Sequence, residues 1–378
     1  MLRGPALVPP ADPVGLTPLI DLGDAVPLVR QTLRSRTNAT RQQHAAGGRV
    51  LGRQPVLMAY AVGYSDALLN FFVNSYQSWV TRGRLVLFTA DGIWPARVVC
   101  RRPASVEFVK IEDHKGVPHV VRRYFVYAEW LSRRPQSYSK IILSDVRDVF
   151  FQADPFLRMR EDKGQSGVLY AFAEGVSLRN KPTNNNQRWI RQCRYYGGEA
   201  SLQQLLSRDA SVVNGGVVAA STPEVMLRFL RELVKPLSHG CNDQGAITYI
   251  VHVLGPQLGI NIVLQPLRKS FVANALEELN PTHPKAHPRT HLAPLEVFQD
   301  ALGRILNSDG EPYAIVHQAD RFPALWRLRH RILSLGMNRT QNDSDVRGTA
   351  ARHSALSYEH AALTGVKYRE DNLSTVPL

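Results

Sequence analysis

No stretch of this sequence is apolar for long enough to suggest a membrane span. The amino-terminal MLRGPALVPPADPVGLTPLIDLG breaks every apolar stretch with proline or aspartate, so it reads neither as the core of a signal peptide nor as a bilayer-crossing helix. No anchor is visible. Cysteine is scarce: Cys100, Cys193 and Cys241 are the only three, and no two form a C-x-x-C pair. That spacing indicates neither a zinc knuckle nor a disulfide scaffold, so stability is expected to rest on the core. Acid is the minority charge, with 32 Asp+Glu against 46 Lys+Arg and a net charge of +14. Such a field draws phosphates, acidic glycans, nucleic acid or anionic membranes. The positive residues are dispersed and no aromatic-basic motif accompanies them, so nucleic acid is not an expected partner.

What is present is ordinary globular material, 44% hydrophobic and 21% charged, enough for a substantial core. At 378 residues the chain suits two average domains or one elaborated α/β domain with tails. Residues 1–52 are Pro- and Arg-rich with little to bury and read as a flexible leader. Residues 53–336 carry the periodic patterns, and residues 337–378 turn polar and aperiodic, as a tail does. PVLMAYAVGY is a strand-like apolar run, followed by SDALLNFFVNSYQSWVTRG with Leu68, Phe71, Phe72, Tyr76 and Trp79 at helical spacing. RLVLFTAD and SVEFVKIED repeat the strand, and HVVRRYFVYAEWLSRRP is a helix stopped by basic residues and Pro135. GVLYAFAEG, SVVNGGVVAAS, NIVLQPL and YAIVHQADR supply further strands, and PEVMLRFLRELVKPL and CNDQGAITYIVHVLG supply helices. The alternation predicts an α/β fold, a single Rossmann-like mixed sheet flanked by helices.

In open α/β sheets ligands gather at the carboxyl ends of strands. The apolar run Ile141–Leu143 ends there in Asp145-Val-Arg-Asp148. Two carboxylates taken out of water need a cation, and Mg²⁺ or Mn²⁺ takes oxygen ligands of this type. The same spacing also suits exposed loop acids paired by Arg147. His317 closes an apolar strand and serves either as a structural histidine or as a third ligand. Asn214-Gly215-Gly216 is either a hairpin turn or a segment whose glycines let backbone approach a sugar while the Asn214 amide bonds its hydroxyls. Asn242-Asp243-Gln244 opens a helix, as a cap or as a carboxylate and amide that orient a sugar.

In this order DVRD, VNGGVV, NDQGAIT and VHQADR resemble the motif set of GT-A-fold glycosyltransferases, the nucleotide-diphospho-sugar transferases with a glycogenin-like arrangement, over about residues 55–330. The resemblance implies a GT-A fold and transfer of a sugar, with retention of configuration, from a nucleoside-diphosphate sugar, UDP-linked by preference, to a hydroxyl of a glycan or protein. It implies Asp145, Asp148 and His317 as ligands of Mn²⁺ or Mg²⁺, and Asp243 and Asn214 as catalytic residues beside the donor sugar. Tyr64 and Asp91 would hold base and ribose, and Arg123, Asp145, Gly215 and Gln244 the rest of the donor. Here the motif is D-x-x-D where the family has D-x-D. Arg122 joins Arg123 on a basic helix face that either meets phosphate or is solvated, and Lys181 and Trp189 fall in KPTNNNQRW, an acceptor-shaping insertion or a flexible loop. A metal-dependent nucleotidyltransferase or phosphohydrolase is the rival reading, with Asp154 the one further acid nearby, and a non-catalytic polyanion-binding protein is another. Sequons at Asn38, Asn338, Asn342 and Asn372, together with the resemblance, favour the Golgi or secretory lumen.

Overall fold

The computed structural model of the chain describes residues 53–90, 105–112, 116–134, 136–159, 167–180, 185–275 and 299–321, with Arg102 and Leu325. All fall in the unit that runs from Met1 to Gly336. The leader, the tail, Asp91, Lys181, Cys100 and the four sequons lie outside the described residues.

Four parallel strands form one half of the main sheet: β1 (Gln54–Tyr60), β2 (Arg84–Thr89), β3 (Val106–Lys110) and β4 (Tyr138–Ser144), in the order β3-β2-β1-β4. The near-continuous apolar runs of β1 and β2 suit strands covered on both faces. Helix α1 (Asp66–Trp79) links β1 to β2, begun by Ser65, whose side chain accepts the Leu68 amide. Helix α2 (His119–Ser132) precedes β4. Beyond β4 the direction reverses. β8 (Val217–Ala220) is antiparallel to β4 and to β6 (Val168–Ser177), and β9 (Asn261–Gln265) lies parallel to β6. The sheet is therefore mixed and flanked by helices, as the alternation predicts.

Between β6 and β8 come α3 (Asn185–Gln192), α4 (Glu199–Ser207) and β7 (Ser211–Val213). β7 and β8 both run antiparallel to β6, on either side of Asn214-Gly215-Gly216. These residues are an interruption within one line of strand, so the hairpin alternative does not hold: the Asn214 amide still reaches the Phe172 carbonyl at 2.8 Å, and the chain bulges without turning back. Helix α5 (Pro223–Ser238), capped by Thr222, packs its apolar face with α2 in the main core. Helix α6 (Asp243–Tyr249) begins at the cap Asn242 and continues into a π-helical turn, Ile250–Leu254.

A second, three-stranded sheet completes the unit. β11 (Ile315–His317) lies between β10 (Val272–Asn274), parallel to it, and β5 (Phe150–Phe151), antiparallel to it. Phe151 meets Phe72 and Tyr76 of α1 edge-on, at 5.5 and 5.4 Å between ring centres, which anchors this sheet against α1.

The cysteine expectation is overturned. Cys193 and Cys241 are joined in a buried disulfide that ties the end of α3 to the residue before the α6 cap. The two are 48 residues apart, so local spacing carries no sign of the pairing.

Candidate metal centre

The amide of Asp145, first residue beyond β4, donates to the Gly216 carbonyl at 2.8 Å. At the other end of the loop the Asp148 carbonyl accepts the Ala319 amide at 3.0 Å, and Arg147 pairs with Asp320 at 3.3 Å. The DVRD loop is thus pinned on one side by the strand bulge and on the other by the segment that follows His317.

These two attachments bring the ligand candidates together. Asp145, Asp148 and His317 each turn one ligand atom to a point where all lie within 4.8 Å of one another. His317 Nε2 stands 3.6 Å from Asp145 Oδ2 and 3.7 Å from Asp148 Oδ1. Asp148 and His317 are buried and Asp145 is half-buried. Gly216 lies directly against the group: a Cβ there would stand 2.4 Å from His317 Nε2 and 2.6 Å from Asp145 Oδ2. Its glycine is needed for this close approach, since its φ is not in the left-handed region. Oxygen donors predominate, and three protein ligands leave coordination positions open on a six-coordinate ion. The residues therefore fit a hard divalent cation. Asp154 does not join them, because its carboxylate accepts the Phe156 amide at 2.9 Å and the Thr81 amide at 3.4 Å.

The second oxygen of Asp145 belongs to Arg123. This guanidinium, on α2, also bonds Asp243 Oδ2 at 2.7 Å, the Gly215 carbonyl at 3.0 Å and the Tyr124 hydroxyl at 3.0 Å. Burial opposes its charge, and Tyr124 and Asp243 outweigh that, leaving its pKa raised. Arg122 and Arg123 are both buried, so of the two readings of this basic helix face the solvated one does not hold. Arg123 joins the D-x-x-D motif to the N-D-Q motif.

Asp243 has both oxygens engaged, Oδ2 with Arg123 and Oδ1 with the Gln244 amide at 2.9 Å. Asn242 does the capping, accepting the Gly245 amide at 3.2 Å. Gln244 is half-buried beside Gly215, whose added Cβ would lie 3.3 Å from the Gln244 Cβ.

Asn214 departs from its expected role. It is 0% exposed, and its Oδ1 accepts the amides of Gly216 and Val217, at 2.5 and 3.3 Å. Its Nδ2 bonds Asn274 Oδ1 and lies 2.8 Å from His317 Nδ1. With its amide turned inward, Asn214 shapes the bulge and meets the histidine where the sequence suggested sugar hydroxyls.

Tyr64 stands half-buried at the tip of β1. Burial raises the pKa of its hydroxyl, Arg147 and Arg123 pull it back, and Asp148 adds to the rise, so the group stays protonated at neutral pH beside these three charges. Trp189 lies in helix α3, not in a loop, and its backbone packs against Gly245 in the first turn of α6, 3.3 Å from an added Cβ. The residue that sequence reasoning missed is Asn274, at the end of β10. The only signal was an amide closing the short apolar run Phe271–Ala273.

No protein-family model matches the sequence, and no curated protein matches it. Among solved structures the chain is similar to the galactosyltransferase LgtC in complex with donor and acceptor sugar analogs, at 13% identity and TM-score 0.41, over 74% of this chain and 95% of that one. An active-site mutant of LgtC is similar at 12% identity and TM-score 0.44, with the same shares. The bifunctional glycosyltransferase WbbM in its apo form is similar at 12% identity and TM-score 0.41, over 72% of this chain and 47% of that one.

Proposed function

We infer that this chain is a metal-dependent glycosyltransferase of the GT-A type, which moves a sugar from a nucleoside diphosphate to a hydroxyl of a glycan or protein. The observation that carries the reading is the convergence of Asp145, Asp148 and His317 at the carboxyl end of β4, with the Gly216 backbone against them. The cation is Mn²⁺ or Mg²⁺, held by those three side chains. When bound, it supplies charge neutralisation for the departing diphosphate. The donor of choice in this reading is a UDP-sugar, with Tyr64 and Asp91 at the nucleoside.

The chain's own residues do the rest by positioning. Arg123 holds the Asp145 and Asp243 carboxylates in one frame, so the metal loop and the start of α6 keep a fixed relation. Gln244 and the Gly215 backbone face the donor sugar, Gln244 through its amide. Asp243 contributes negative charge near the anomeric carbon, where positive charge develops. Engagement of both its oxygens leaves it poorly placed to act as a base on the acceptor, which supports retention over inversion. Retention of Asp154 in its own hydrogen bonds weighs against a two-metal hydrolase. The Cys193–Cys241 disulfide supports residence in an oxidising compartment, in line with the secretory lumen. Among the described residues no helix is long and apolar enough to cross a membrane.

The test is a thermal-shift series with nucleoside diphosphates, with and without Mn²⁺, on the native chain and on Asp148→Ala. A metal-dependent rise for one base, absent in the variant, is expected; at a ligand concentration of 100 Kd it corresponds to about 2.7 kcal/mol. An equal rise in Asp148→Ala would sink the metal assignment.

A further inference from the structure

We propose that Asn274 is a positioning residue for the metal centre, selecting the His317 tautomer that leaves Nε2 free to bind a cation. The inference rests on the metal reading of the Asp145, Asp148 and His317 site. β10 and β11 run in register with Asn274 directly opposite His317. The Asn274 side chain is almost wholly buried, and its Oδ1 lies 3.3 Å from His317 Nδ1.

The amide orientations follow from their other partners. Asn214 Oδ1 takes the Gly216 and Val217 amides, so its Nδ2 faces His317 Nδ1 at 2.8 Å. Asn274 Nδ2 donates to the Ala173 carbonyl at 3.1 Å, so its Oδ1, which also accepts a proton of the Asn214 Nδ2 group, faces the same ring nitrogen. His317 Nδ1 therefore meets one donor and one acceptor.

A neutral imidazole carries one proton, and each placement satisfies a different partner. With the proton on Nε2, Nδ1 accepts from Asn214 and Nε2–H points to the two carboxylates. With the proton on Nδ1, it is donated to Asn274 Oδ1, and the Nε2 lone pair faces the space beside Asp145 and Asp148. Only the second form binds a cation at Nε2, and the bond from the opposite ring nitrogen fixes it. Asn274 is the acceptor that makes this form available. Without it, the Asn214 donor holds His317 in the form that cannot ligate.

The experiment measures Mn²⁺ binding by the paramagnetic signal of the free ion, in the native chain, Asn274→Leu and Asn274→Asp. Melting without metal is followed in parallel. Leucine keeps the volume and removes the acceptor, whereas aspartate keeps an oxygen toward Nδ1. The expected result is a 10- to 100-fold weaker Kd in Asn274→Leu, roughly the scale of outer-shell losses, and near-native binding in Asn274→Asp. Native affinity in a folded Asn274→Leu overturns the proposal, as does an equal loss in both variants. Should Asn274→Leu fail to fold, the ¹⁵N spectrum of His317 in the native chain, assigned by its absence in His317→Gln, decides. Already without metal the proton must lie on Nδ1, and a proton that sits on Nε2 refutes the idea. Failure of the native chain to bind Mn²⁺ at all instead overturns the metal reading, and the tautomer role with it.

Discussion

Replacing Gly216 with alanine adds one carbon at the point where the backbone comes closest to the candidate metal ligands. That carbon would lie 2.4 Å from His317 Nε2, 2.6 Å from Asp145 Oδ2 and 2.9 Å from His317 Cε1. Comfortable contacts of this type begin near 3.5 Å, so ligands or backbone must move by roughly 1 Å. Neither side yields easily. His317 is held in β11 beside Asn274, and Asp145 is held by Arg123 and by the Gly216 carbonyl itself. Metal sites tolerate ligand displacements of only about 0.2 Å. The variant should therefore lose at least ~100-fold in Mn²⁺ affinity, about 2.8 kcal/mol. Its metal-free stability should fall by about 1–3 kcal/mol, the usual cost of one excess methyl in a packed site. Because the Gly216 φ lies outside the left-handed region, backbone strain adds nothing to this. Gly215→Ala is the control. Its Cβ would have the Gln244 Cβ as nearest neighbour at 3.3 Å and does not meet the ligand triad, so Mn²⁺ binding should persist. Isothermal titration of both variants decides the matter. Native Mn²⁺ affinity in Gly216→Ala would refute the placement of a cation among these residues.

Three further outcomes follow from the surroundings of the site. Arg123→Met should destabilise by about 3–5 kcal/mol, because Asp145 and Asp243 lose a shared buried partner; denaturant melts should show Asp243→Asn restoring part of the loss in the double variant. Reducing the Cys193–Cys241 bond, or replacing both cysteines with serine, opens a loop of 48 residues and should cost roughly 4 kcal/mol, read as a lower midpoint in urea under reducing conditions. His252 gives a pH signature: burial lowers its pKa, the bond to the Ser211 carbonyl resists, and Arg208 adds to the lowering. Its folded pKa lies below its unfolded one, so the unfolded chain binds the extra proton first. Stability should fall as pH drops below about 6.5, and His252→Gln should shallow that slope in melts between neutral and mildly acidic pH.

The parallel half of the sheet was legible because β1, β2 and the Ile141–Leu143 part of β4 are apolar runs bounded by polar tips, and α1, α2 and α5 carry their apolar residues at helical spacing. The same patterns do not encode strand partners. Nothing in SVVNGGVVAAS distinguishes a hairpin from a bulge within one line of strand, since that depends on which neighbour satisfies the Asn214 amide. At the site, the acidic loop and His317 stood out as polar groups at the ends of apolar strands. The hidden parts are those defined by pairing across long separations. Asn274 acquires meaning only when β10 is laid beside β11, and Cys193 and Cys241 only when α3 is brought to the start of α6. Arg123 was visible as a basic residue, but its place beneath two carboxylates depends on the face of α2 that turns inward.

The placement of β11 has a consequence for how the protein comes into being. Its pairing with Phe150 and Phe151 closes one of the longest contacts in the described chain, and such contacts form late because much loop entropy must be lost first. During synthesis the two aspartates leave the ribosome long before the imidazole does. A growing chain thus presents the two acids without His317. On the metal reading, capture of a cation would then coincide with arrival of the last strand, and a cation bound with full affinity would report that the strands from β1 to β11 are in place.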